Sequence, residues 1–214
     1  MKHKQKDRIL CIFFLIFSIF LLLSTTANAS PVKLNVDRDF FGWNDVGVDF
    51  DNNALAVDAG EFQVNYTGSY TSGILPAFCV DLSRALQYNE NNIDGMVAPQ
   101  AYATNGLYVE WLVDYALPSN TGLKNPRAGL QLAIWEVLYD FDISAGPSYN
   151  LSNTDTVGLF EYDTTTTTNY TDDWYTEYID SFIEAVDTKV FDTYNSTGKY
   201  TVLQLSTIAG DSQD

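Results

Sequence analysis

The chain has 214 residues, 46% of them hydrophobic, and carries 28 acidic against 11 basic side chains for a net charge of −17 at pH 7. So acidic a chain lacks the lysines and arginines that neutralise phosphate, which argues against nucleic acid or an anionic membrane surface as a partner. Its one histidine is His3 and its two cysteines are Cys11 and Cys79, and their positions narrow the chemistry further.

Lys2, Lys4, Lys6 and Arg8 precede an almost unbroken apolar run from Ile9 to Leu23, and Ala27-Asn28-Ala29 puts small residues at the two positions a signal peptidase reads. Residues 1–29 are therefore expected to be a cleaved signal peptide, since the run is short for a membrane span and no basic stop follows it. Residues 30–214 are then expected to form one secreted domain with no integral membrane segment. That domain is more acidic still, because four basic residues leave with the leader against one acidic residue, Asp7. Departure of His3 excludes a Ser-His-Asp or Cys-His hydrolase and any His-ligated metal site. With Cys79 alone remaining, an intramolecular disulfide and a CxxC site are excluded too. Asp49, Asp51 and Asn53 are spaced like the start of a calcium loop, but its sixth position is Ala54 and its twelfth is Gly60, so the motif fails. No metal and no cofactor is expected, and nothing singles out a carboxylate pair for glycoside hydrolysis.

The stretch from Ser30 to Leu86 reads as strand and turn. Val46, Val48 and Phe50 alternate until Asp51-Asn52-Asn53 breaks the run, and Glu61 to Tyr66 alternates again up to Gly68. Ile74 to Leu82 reads as a strand that carries Cys79, with Ala77 and Asp81 on the cysteine's face and Phe78 and Val80 on the other. Residues 87–104 are polar and Asn-rich and read as a loop. Asn105-Gly106 opens a helix with Tyr108, Trp111, Leu112 and Tyr115 at helical spacing, ended by Pro118. A second helix has Asn125 as its cap and Pro126 in the first helical position, with Leu130, Ile134, Val137, Leu138 and Phe141 as its apolar series. Gln131 borders or joins that buried face, where a carboxamide left unsatisfied costs about 1–3 kcal/mol. Residues 148–170, including the run Thr164 to Thr168, read as a long surface loop. Thr171-Asp172-Asp173 starts a third helix, acidic where the helix dipole favours it, with Trp174, Tyr178, Phe182, Ala185 and Val186 placed to pack. Tyr200 to Leu205 reads as a closing strand, and strands on either side of a helical middle predict an α+β fold.

Cys79 and Gln131 are the residues with chemistry to offer. A thiolate is a strong nucleophile and a buried carboxamide is an acyl group it can attack, so the two are candidates for an internal thioester able to capture an amine. The plainer readings are Cys79 as a small buried hydrophobe and Gln131 as an ordinary residue near a helix start. An exposed Cys79 would instead suit a disulfide-linked dimer.

Phe78-Cys79-Val80-Asp81-Leu82, followed by Leu130-Gln131-Leu132-Ala133-Ile134-Trp135-Glu136-Val137-Leu138-Tyr139-Asp140, resembles the thioester domains (TQXA-type) of bacterial surface proteins, over roughly residues 45–210. The family's Thr before the Gln is Leu130 here, and the residue after it is Leu132. The resemblance implies an antiparallel β-sandwich or barrel core with an inserted helical part that carries the Gln131 helix. It implies a secreted or cell-surface adhesion module, bacterial, whose Cys79–Gln131 thioester attaches covalently to a Lys or polyamine of a protein or matrix component. Such a module reacts once and is not an enzyme. Phe78, Tyr108, Trp111 and Trp135 are the implied walls of the site, and Asp81, on the same side, the group that polarises the amine or raises the thiol pKa; each aromatic also reads as plain core. The likeness is strongest to a secreted subset that often ends in a PEP-CTERM sorting tail; this chain stops at Asp211-Ser212-Gln213-Asp214, so by that comparison it is expected to be truncated or to have lost its anchor. The competing reading is a non-covalent structural or extracellular-matrix protein, associated with biofilm or exopolysaccharide, with Cys79 in its core.

Overall fold

The computed structural model describes residues 33–37, 43–67, 72–80, 82, 90–97, 99–117, 123–146, 149–151, 158–162, 171–196, 198–200 and 202–207. Two compact units divide the chain, Met1–Pro31 and Val32–Asp214, and every described residue belongs to the second. The expected leader, Asp81, the run Thr164 to Thr168 and the chain end at Asp211-Ser212-Gln213-Asp214 lie outside the described residues.

Strands β2 (Trp43–Phe50) and β3 (Asn53–Gly60) form a hairpin in register from Phe50↔Asn53 to Trp43↔Gly60. Asp51 and Asn52, with φ of 51° and 61°, are its two-residue turn. Their short polar side chains tolerate the left-handed conformation that such a turn demands at both central positions. Asp51-Asn52-Asn53, expected to break the strand run, thus folds it back on itself. Strand β7 (Phe160–Tyr162) pairs with the other edge of β2, giving the order β3-β2-β7. This corrects the reading of 148–170 as loop throughout: three residues are too few to show a period, and β2 supplies the partner.

The second sheet is antiparallel, ordered β5-β4-β1-β6-β8, from β1 (Lys33–Asp37), β4 (Phe62–Thr67), β5 (Ser72–Ala77), β6 (Glu90–Val97) and β8 (Val202–Thr207). Strand β6 and the short helix α1 (Pro99–Tyr102) overturn the loop expected over 87–104. Asn-rich sequence has little intrinsic strand preference, but β6 is paired on both edges, and in sheets such context outweighs propensity. With these two sheets and the helices below, the fold is α+β.

Among the described residues there are three longer helices, α2 (Gly106–Ala116), α3 (Lys124–Asp140) and α4 (Thr171–Asp187). Every residue of α3 from Pro126 to Val137 is buried. A helix enclosed on all sides has neighbours all round, and α3 packs against α2, α4, β2, β3 and β7. Gly129 is what lets α4 come so near: a Cβ there would lie 2.7 Å from Trp174 Cβ and 2.8 Å from the Tyr175 nitrogen. The start of α3 differs from expectation. The helix begins at Lys124 behind Leu123, and Asn125 sits inside the first turn. Its side-chain oxygen accepts from Asn44 Nδ2 (3.2 Å), which also donates to Thr171 Oγ1 (2.7 Å), so Asn44 ties the starts of α3 and α4 to β2.

On α2 the buried hydrophobic residues are Val109, Leu112, Val113 and Ala116, with Gly106 and the acid Glu110 buried beside them, while Tyr108 and Trp111 are half-buried and Tyr115 is exposed. The expected face shares only Leu112 with the observed one, because the large rings sit at its margin and pack sideways. Asn105 makes no side-chain cap for α2. Its Nδ2 donates instead to the Val137 and Phe141 carbonyls, both at 3.0 Å, closing the end of α3 where carbonyls lack helical partners. On α4, Tyr178, Phe182 and Ala185 are buried as expected, joined by Tyr175 and Ile179, with Trp174 and Val186 half-buried.

The outer side of α2 is fastened through Asp114, which accepts from Tyr200 Oη (2.9 Å), Lys199 Nζ (3.0 Å) and Tyr194 Oη (3.1 Å). Burial works to raise this carboxyl, but the hydrogen bonds from Lys199, Tyr200 and Tyr194 outweigh it and hold the group below its usual range. The folded state therefore binds this proton less readily than the unfolded chain. The stabilisation is fully present above the ordinary aspartate range and is lost as pH falls through the native value. Asp114→Asn should lower the stability by about 1 kcal/mol at neutral pH. Urea midpoints compared with the parent chain should converge below pH ~4, and a gap that ignores pH would refute the electrostatic account.

Candidate functional site

Strand β5 leaves its β4 partner at Ala77, which pairs with Phe62, and Phe78-Cys79-Val80 runs on past the end of the ladder. Cys79 is therefore beyond the strand, not within one reaching to Leu82, and the shared face drawn with Ala77 does not apply. Backbone groups removed from water need partners wherever they go. Here two α3 side chains supply them. Cys79 N donates to Gln131 Oε1 at 2.8 Å and Gln131 Nε2 donates to Cys79 O at 2.7 Å. Farther along, Leu82 N donates to Tyr139 Oη and Tyr139 Oη donates to Val80 O, each at 3.1 Å. Gln131 and Tyr139 are eight residues apart on the same side of α3, so the helix edge does the work of a neighbouring strand.

Gln131 is 0% exposed and Cys79 is half-buried, its sulfur not in a disulfide among the described residues. The carboxamide carbon is the acyl centre, and the Cys79 N–H is aimed at the oxygen that would gain negative charge as a nucleophile adds there. A donor fixed at that oxygen before reaction is the arrangement that stabilises acyl transfer. The nitrogen that would leave is held on Cys79 O.

Several charged groups are buried around α3. Glu61 and Arg127 form an ion pair at the helix start, with burial lowering the Arg127 pKa. Burial, then the Glu136 carboxylate and its hydrogen bond, push the Tyr175 hydroxyl well above its usual range. Asp140 accepts from Leu159 N (2.6 Å) and Phe160 N (2.9 Å), anchoring β7; burial raises its carboxyl while the two N–H groups pull it back. Among the described residues no group of three His, Cys, Asp or Glu side chains could hold a metal ion. No helix among them is long and apolar enough to cross a membrane.

Of the residues expected at the site, the structure brings Cys79 and Gln131 together. Phe78 is half-buried and packs on the core beside them. Trp135 lies on the α3 side between Gln131 and Tyr139, 1% exposed, with its ring 6.0 Å from Phe160; its indole N–H has no acceptor among the described residues. Tyr108 packs on Phe141 and Phe191, both at 4.7 Å, and Trp111 stacks on Tyr115 at 5.2 Å and meets Phe191 at 5.4 Å. With Phe182 of α4, which meets Tyr108, Trp111 and Phe191, these rings form an aromatic cluster joining α2, α4 and the turn Val190–Asp192. Tyr139 is the residue that sequence reasoning missed. Its signal is the spacing Gln131, Trp135, Tyr139, four residues apart along one side of a helix.

Comparison with protein-family models, with curated proteins and with solved structures found no match for this chain. The site is read from its own geometry.

Proposed function

We propose that the protein is a secreted surface or matrix adhesion module in which Cys79 and Gln131 close an internal thioester that captures an amine. The observation that carries this reading is the reciprocal pair of hydrogen bonds between the Cys79 backbone and the buried Gln131 carboxamide. Cys79 Sγ adds to the Gln131 carbonyl carbon, and the charge on Oε1 is met by the Cys79 N–H. The C–Nε2 bond then breaks and the nitrogen leaves as ammonia, taking the thiol proton. A Lys or polyamine nitrogen on the target next attacks the same carbon, the C–S bond breaks, and a proton passes to sulfur. The products are an amide at Gln131 and a free Cys79 thiol, formed once per molecule. The likeness to thioester domains supports the reading, and carries with it a sandwich or barrel as the core that the two sheets would build.

Intact mass is the test. The mature protein should weigh one ammonia less than its sequence, and methylamine should add one equivalent at Gln131 and release one titratable thiol. A mass equal to that of the sequence, with Cys79 unreactive until unfolding, would sink the covalent reading. The second reading, a non-covalent structural or matrix protein, is favoured by Tyr139, which clasps Val80 and Leu82 in the same way with no electrophile to offer. It expects the full mass.

A further inference from the structure

We propose that Tyr139 is the positioning residue of the thioester centre; this rests on the thioester reading above. Four backbone groups of the cysteine segment, Cys79 N and O, Val80 O and Leu82 N, are held by two α3 side chains. Gln131 is consumed in the chemistry. When its C–N bond breaks, Nε2 departs and the hydrogen bond to Cys79 O goes with it, so its hold on the segment is halved during the reaction. Tyr139 keeps both of its hydrogen bonds throughout, since none of its atoms takes part. Its hydroxyl is fixed in place by ring packing on Phe50, with centroids 4.7 Å apart and planes at 56°, which ties the clasp to β2. The Val80 and Leu82 contacts therefore keep Cys79 N–H directed at Oε1 while the groups around the carbonyl carbon change. Without them, the loosened segment loses the oxyanion donor and admits water to the acyl carbon.

Tyr139→Phe keeps the ring on Phe50 and removes both hydrogen bonds. Tyr149→Phe serves as a control, because it deletes another tyrosine hydroxyl bond, the solvent-exposed one to Asp187 at 2.5 Å, and keeps the half-buried ring. Thioester content is read by intact mass, its lifetime by loss to hydrolysis against capture by methylamine, and local opening by hydrogen exchange in peptides covering residues 78–82. In Tyr139→Phe, exchange in that segment and hydrolysis should both rise about tenfold, the worth of one to two hydrogen bonds, with exchange elsewhere unchanged. Tyr149→Phe should match the parent chain in both. A Tyr139→Phe protein with the parental thioester content, lifetime and 78–82 exchange would overturn the role assigned to Tyr139 while leaving the thioester standing. Absence of the ammonia deficit in the parent chain itself would overturn the thioester reading, and the positioning role with it.

Discussion

Gln131→Ala should destabilise the fold by about 2–4 kcal/mol and leave Cys79 open to thiol reagents in the native state. Relative to the parent with its carboxamide intact, the substitution strips Gln131 from both the N–H and the carbonyl of Cys79, and each group so orphaned costs about 1–3 kcal/mol where water does not reach it. It also opens a void inside a helix that is enclosed on every side. Gln131→Leu separates the two contributions, because it restores the volume and not the hydrogen bonds. Urea unfolding should place the leucine variant between the alanine variant and the parent. A leucine variant as stable as the parent would mean that the clasp on Cys79 contributes nothing to folding. In either variant the mass should equal that of the sequence, since no acyl group remains at position 131.

Arg127→Met should cost about 3–5 kcal/mol, the loss typical when one member of a buried ion pair is removed and the other charge is stranded. Glu61 and Arg127 are 2% and 4% exposed, so neither has water to fall back on. Stranded in this way, the Glu61 carboxyl has its pKa raised by burial with no cation to oppose it. A raised carboxylate pKa makes the folded state the better proton binder. The penalty should therefore be largest at neutral pH and shrink as pH falls and the group is protonated. The double variant Glu61→Leu with Arg127→Met should recover most of the loss, because a well-packed apolar pair often equals a buried ionic one. Denaturation curves of the single and double variants across pH check this, and a double variant no more stable than the single would show that the charges are not coupled.

Parts of this fold are legible in the sequence, and the reasons differ from element to element. The three longer helices can be read because apolar residues recur at the helical period between recognisable stops. Their faces are harder. On α2 the bulky rings of Tyr108, Trp111 and Tyr115 dominate the pattern, yet the smaller Val109, Val113 and Ala116 are buried with Leu112 and the rings are not. A period records where apolar residues lie, and packing against α3 selects among them by size. Strand β6 is illegible for another reason: its hydrogen bonds go to β1 and β8, strands distant in sequence, and no local preference reports a distant partner. The polar side chains mislead in the same way. Asn125 reads as a cap and Asn105 as the opening of a helix, but Asn105 closes α3 from the start of α2, and Asn125, inside the first turn of α3, answers to Asn44.

The sequence by itself determines what chemistry is on hand. With the expected leader removed it holds one thiol and no histidine, and it puts Gln131 on a helix face where a carboxamide needs partners. It also contains the Asp51-Asn52 turn and the helical periods. Only the tertiary structure decides that the partner of Gln131 is Cys79, fifty-two residues away. It decides too that Cys79 lies beyond the end of β5 and that Tyr139 shares the task of holding it. The physical reason is that periodicity encodes which face of an element is buried, whereas a side chain standing in for a strand partner depends on which backbone the packed helix happens to meet.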